Sequence, residues 1–124
     1  FVSAFMARKD APKLLATPAL NPDELVYANG PPIWLDKFDQ NTIIKKLNRR
    51  YRNRPQLPCS FLIKPLGLFV VGKSEDLPFA RDVISIYLSV RSFAAQLGPI
   101  HPLNERQRNF IMLQYKNAAK GMKV

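Results

Sequence analysis

The sequence predicts an α/β or α+β layer, in which a small, mostly antiparallel sheet is covered by helices. Three observations predict it. Two short apolar runs, Phe61-Leu62-Ile63 and Leu68-Phe69-Val70-Val71, flank a Pro65-Leu66-Gly67 turn and read as a hairpin. Long segments on either side repeat their apolar residues at helical spacing. Strand and helix signals therefore alternate along the chain, which is the order of a layered α/β fold.

Each element has a local reason. Residues 1–9 form a short apolar helix pattern. Residues 11–22 carry Pro12, Pro18 and Pro22 and read as an irregular connection. Glu24-Leu25-Val26-Tyr27-Ala28 reads as a short strand, closed by Asn29-Gly30-Pro31-Pro32, a strong turn signal. Ile33-Trp34-Leu35 is a second short strand or a packing anchor. Asp39 or Asn41 can cap a helix over residues 42–53, stopped by Pro55. Its apolar residues Ile43, Ile44, Leu47 and Tyr51 share a face. After the hairpin, Ser74 or Asp76 can cap a helix reaching residue 97, with Arg81, Ser85, Ser89, Ser92 and Gln96 as a polar stripe. The rest of that helix is apolar enough to be buried on most of its surface, and Gly98-Pro99 ends it. A last helix runs over residues 104–119.

At 124 residues the chain is a single domain or a fragment of one: an irregular segment (1–22), a strand and helix core (23–103) and a C-terminal helix with its tail (104–124). So small a sheet would have exposed edges, which favours strands supplied upstream or by a partner subunit. The apolar content of 47% argues against disorder, and no stretch resembles a signal peptide or a membrane span. The single cysteine, Cys59, excludes an intramolecular disulfide and fits a cytoplasmic protein with a buried or bystander thiol.

The formal net charge of +10 favours an anionic partner without choosing among nucleic acid, acidic membrane and phosphorylated small molecules. The helix over residues 42–53 and its exit concentrate that charge in Lys45, Lys46, Arg49, Arg50, Arg52 and Arg54, with no acid among them. Lys45, Arg49 and Arg50 are the candidate anion-contacting residues. A solvated amphipathic helix is the plainer account of this run, and no recognised nucleic-acid-binding motif accompanies it.

Gly67 and Gly72-Lys73-Ser74 have the spacing of a phosphate loop. The residues between them are a continuous apolar run, whose amides would be spent on sheet pairing, so a nucleotide site is rejected. The single histidine, His101, sits in a loop beside Pro102, and with Cys59 it forms no metal-ligand spacing. No catalytic residue and no metal ligand is assigned.

Several segments resemble the C-terminal half of the class II aldolase/adducin family. They are Asn21-Pro22-Asp23-Glu24-Leu25-Val26-Tyr27 with Pro31-Pro32-Ile33-Trp34-Leu35, the stretch 60–73, the helix over 77–97, and Gly98-Pro99-Ile100-His101-Pro102-Leu103-Asn104-Glu105. The Gly67-to-Gly72 frame of the hairpin is the most specific of these. The chain is most similar to the branch that lacks the hairpin zinc histidine, as in aldolase domains fused to short-chain dehydrogenases. The resemblance implies an α/β/α fold, a homo-oligomer, and zinc-assisted cleavage of sugar phosphates of the rhamnulose or fuculose type. It also implies that the acid and the first two zinc histidines lie upstream, in a full-length parent. The third histidine would fall at Leu66 and Glu24 stands where a histidine is frequent, so this chain would hold no zinc itself. The rival expectation is a small basic module that contacts nucleic acid or the ribosome through the 45–54 run and Lys116, Lys120 and Lys123. A membrane partner is not expected.

Overall fold

The computed structural model describes residues 1–53 and 58–121. Arg54, Pro55 and Lys123, and the side chains of Tyr51 and Lys120, lie outside what is described. The chain opens with two single-turn helices, α1 (Val2–Met6) and α2 (Ala11–Leu15), followed by α3 (Pro22–Ala28) and strand β1 (Ile33–Leu35). Helix α4 (Gln40–Asn53) leads to the hairpin β2 (Cys59–Ile63) and β3 (Gly67–Val71). The long α5 (Leu77–Leu97) and then α6 (Glu105–Gly121) complete the chain.

The sheet is mixed, which corrects the mostly antiparallel expectation. β2 is central and pairs antiparallel with β3 (Phe61 opposite Phe69) but parallel with β1 (Trp34 beside Leu62). The reason is the helix between β1 and β2. A strand that returns through a fourteen-residue helix re-enters the sheet in its original direction, whereas a tight turn reverses it. The glycines of the hairpin have separate causes. Gly67 closes the turn at φ +126°, a conformation side chains resist. Gly72 lies so near Pro58 that an added Cβ would stand 3.1 Å from the proline Cβ and 3.3 Å from its Cα.

The sheet divides the core by its period of two. Leu35, Cys59, Phe61 and Ile63 face α4, where Ile43 and Leu47 cover them. Leu62 faces the other way into the main cluster of Phe5, Ala11, Leu14, Leu15, Ala80, Ile84 and Leu88, drawn from α1, α2 and α5. The chain is thus of mixed α/β character, with helical residues packed on both faces of the sheet. A third, smaller cluster joins Ala19 and Leu25 to Met112 of α6.

Two N-terminal expectations fail. The proline-rich stretch contains α2, because Pro12 sits in the first turn, where a missing N–H costs nothing. The segment read as a strand is α3. Asn21 caps it by accepting a hydrogen bond from the Glu24 N–H (3.1 Å), Pro22 opens it, and Asp23 and Glu24 place negative charge in its first turn. Asn29, at φ 57°, ends it, with the Asn29 and Gly30 amides donating to the Leu25 and Glu24 carbonyls. Caps at both ends outweigh the strand preference of Val26 and Tyr27.

Helix α5 is not buried on most of its surface. One face leaves Phe79, Ile86, Val90, Phe93 and Leu97 exposed, Leu97 by 91%. On its buried side lies Arg91, fully withdrawn from water. Its Nη1 pairs with Glu24 Oε2, its Nη2 donates to the Pro18 carbonyl (2.9 Å) and its Nε to the Leu14 carbonyl (3.2 Å). The other carboxylate oxygen of Glu24 accepts the Leu20 N–H at 2.8 Å. Among the described residues no helix is long and apolar enough to cross a membrane.

Removing one member of a buried ion pair strands the other charge without water, which costs about 3–5 kcal/mol. Arg91→Met is therefore expected to lower the urea midpoint severely. Glu24→Leu added to Arg91→Met should recover much of the loss, because neither charge is then left unpaired. A double variant no more stable than the single one would show that the carbonyl contacts, not the charges, dominate.

Candidate anion-binding site

The basic residues are positioned by the start of α4. Asp39 Oδ1 accepts the Asn41 N–H (3.2 Å), its Oδ2 accepts the Thr42 hydroxyl (2.8 Å), and its carbonyl receives the Ile43 N–H. This anchors the first turn, as the Asp39 capping expectation holds. Ile43 and Leu47 then pack on the sheet, while Ile44, expected on the same face, is 47% exposed. With the helix pinned at its start and along its apolar face, the direction of every cation on it is set.

Lys46, Arg49 and Arg50 fall at i, i+3 and i+4, neighbours on one face. Together with Ile33 of β1 they line a cavity of about 320 Å³. Two of the three residues singled out from sequence, Arg49 and Arg50, come together there. Lys45 does not line this cavity, because a step of one residue turns it about 100° around the helix. Its place is taken by Lys46. Arg52 is exposed in the last turn, where a cation complements the helix dipole.

Arg50 is the distinctive member. Its Nη1 donates to the Asn29 carbonyl at 2.7 Å, tying α4 to the turn after α3. Among the described residues it has no ion-pair partner, and no acid lines the cavity. Burial pushes its guanidinium below the ordinary arginine value, with the nearby Cys59 thiol pulling the other way. Cys59 is wholly buried, and burial pushes its thiol up, so it is a poor nucleophile at neutral pH. A partly desolvated cation with no counter-charge binds an incoming anion more strongly than a solvated one, because less water must be displaced.

The other candidates resolve simply. Gly67 to Val71 is strand β3, so Gly72-Lys73-Ser74 follows a paired strand and forms no phosphate loop. Leu66 stands at the hairpin tip, 59% exposed, and its aliphatic side chain offers no donor to zinc. His101 is exposed in the loop before α6. Glu24, where the resemblance has a histidine, is committed to Arg91 inside the fold. Neither Leu66 nor Glu24, the described residues that stand where the resemblance has a histidine, is placed to ligate the implied zinc.

Sequence reasoning missed Arg91 and Lys46. The signal for Lys46 was present in the three-and-four spacing from Arg49 and Arg50. A charged residue inside an otherwise apolar helix was the signal for Arg91, since such a charge demands a partner.

The Asp39 carboxyl is held below the usual carboxylate range chiefly by the Thr42 hydroxyl, opposed by burial and helped to a lesser degree by the Thr42 and Asn41 amides and by Lys37. A lowered folded-state value means that its stabilisation is present above about pH 4, the unfolded value, and is lost as the pH falls through the lower folded one. The difference in thermal midpoint between wild type and Asp39→Ala should therefore be positive at pH 7 and shrink towards zero in acid. A difference that stays constant to pH 2 would assign the effect to packing instead. No family model matches the chain, and no curated protein or solved structure matches it.

Proposed function

We propose that this chain is the C-terminal portion of a class II aldolase/adducin-like protein, and that its own contribution is a scaffold with an anion-binding site for a phosphorylated sugar. The observation that carries the anion site is Arg50, half-withdrawn from water, unneutralised by any described acid, and joined by Lys46 and Arg49 around one cavity. The family reading is supported by the strand-turn-strand-helix order of residues 60–97, with a distinct physical need for glycine at each end of the Gly67-to-Gly72 frame. Zinc and the acid of any retro-aldol step would come from elsewhere in a full-length, cytoplasmic parent. An oligomer of the implied kind would have the apolar face of α5 available to it.

A second reading, contact with a nucleic-acid backbone, is favoured by Lys45 and Arg52. Both are exposed on α4, and neither lines the Arg50 cavity. The two readings differ in what they saturate. Calorimetric titration with a hexose monophosphate in a phosphate-free buffer should give saturable binding that Lys46→Gln and Arg49→Gln each weaken about tenfold, the effect of losing one charge-assisted contact. Lys45→Gln should leave it unchanged. Binding to a short RNA that falls steeply with salt and needs Lys45, with no saturable sugar phosphate binding, would select the second reading.

The family part has its own test in the reading frame that encodes this chain. A His-x-His pair and a glycine- and serine-rich loop encoded upstream of Phe1 are expected. A frame with neither would remove the aldolase reading and leave the anion site untouched.

A further inference from the structure

Arg50 lines two cavities, not one. The second, of about 250 Å³, is walled by the 15–19 segment, the Asn29-Gly30-Pro31 turn and α6, and its second cation is Arg108. Arg108 is half-buried, and its Nη1 donates to the Leu103 carbonyl at 2.5 Å. Like the first cavity, this one has no acid among its described lining residues. Glu24, the buried acid of α3, is consumed by Arg91 and the Leu20 N–H. Cations drawn from α4 and α6, separated by 58 positions in sequence, thus meet around two adjoining recesses that share one guanidinium.

We infer that the two recesses are two anion subsites and that the ligand is a small molecule bearing two phosphate groups. One phosphate would lie among Lys46, Arg49 and Arg50, the other between Arg50 and Arg108. A guanidinium suits this sharing because its donors point in fixed, separate directions and serve two anions at once. Recesses of about 250 and 320 Å³ are of small-molecule size, and the exposed Lys45 and Arg52, which a polymer would also contact, line neither. This inference rests on the anion-site reading above and specifies the ligand class for it.

The test compares fructose monophosphate with a fructose bisphosphate phosphorylated on its first and last carbons, by calorimetry on the whole chain at fixed ionic strength. The bisphosphate should bind about tenfold or more tightly than the monophosphate. Arg108→Gln should abolish that preference, bringing bisphosphate affinity down to about that of the monophosphate for the same variant, and Arg108→Lys should restore part of it. Circular dichroism and the thermal midpoint report whether each variant is folded. If Arg108→Gln fails to fold, Arg108→Lys alone decides, because a preference undiminished by loss of the planar fork would overturn the shared subsite. Equal affinity for the two sugars in the wild type overturns the second subsite and leaves the first standing. Absence of any saturable sugar phosphate binding removes both, and tighter binding of a short RNA than of the bisphosphate overturns the small-molecule ligand.

Discussion

The Arg91–Glu24 pair is the constraint from which the rest of the fold hangs. A charge taken fully out of water costs several kcal/mol after relaxation, and only close, complete pairing returns it. Here the pairing is distributed. Glu24 comes from α3, the carbonyl of Leu14 from α2, that of Pro18 from the linker between α2 and α3, and the guanidinium from the C-terminal half of α5. Hydrophobic contact alone would let α3 slide along α5, since apolar burial has no direction. Three directional partners around one planar group do not permit such sliding.

That constraint reaches the basic surface in three steps. Glu24 fixes α3, and α3 ends in the left-handed Asn29, whose carbonyl receives Arg50 from α4. The same end of α3 starts the turn that delivers β1 to the sheet, and β1 supplies Ile33 to the first cavity. A buried ion pair remote from Arg50 therefore helps determine where that arginine lies. The parallel return of β2 adds the second restraint, because it obliges α4 to cross one face of the sheet, where Ile43 and Leu47 lock it.

The elements legible in the sequence were those with a local cause. The hairpin was readable because a turn needing Gly67 separates two apolar runs, and α4, α5 and α6 were readable from their period. The elements that were not legible depend on causes outside their own residues. In α3, five residues rich in Leu, Val and Tyr carry a strand preference, and the capping by Asn21 and Asn29 that overrides it belongs to the flanks. The sheet's mixed character followed from the helix between β1 and β2, a topological cause that short strand patterns do not carry. At the site, Arg49 and Arg50 were legible as a basic run. The exchange of Lys45 for Lys46 required the helix phase set by Ile43 and Leu47. Arg108 lay hidden because only the tertiary fold brings α6 beside the turn after α3.

The spacing of these contacts along the chain has a kinetic meaning. β2 and β3 are joined by a three-residue turn, whereas Glu24 and Arg91 lie 67 positions apart. Closing a long loop costs chain entropy that a short hairpin does not spend, so non-local contacts are made after local ones. By that ordering the hairpin is expected to form early in folding and the ion pair to close late. An interaction absent from the transition state governs how long the native state lasts more than how fast it forms. Arg91 is in that sense the latch of this fold, set last and holding the lifetime of everything beneath it.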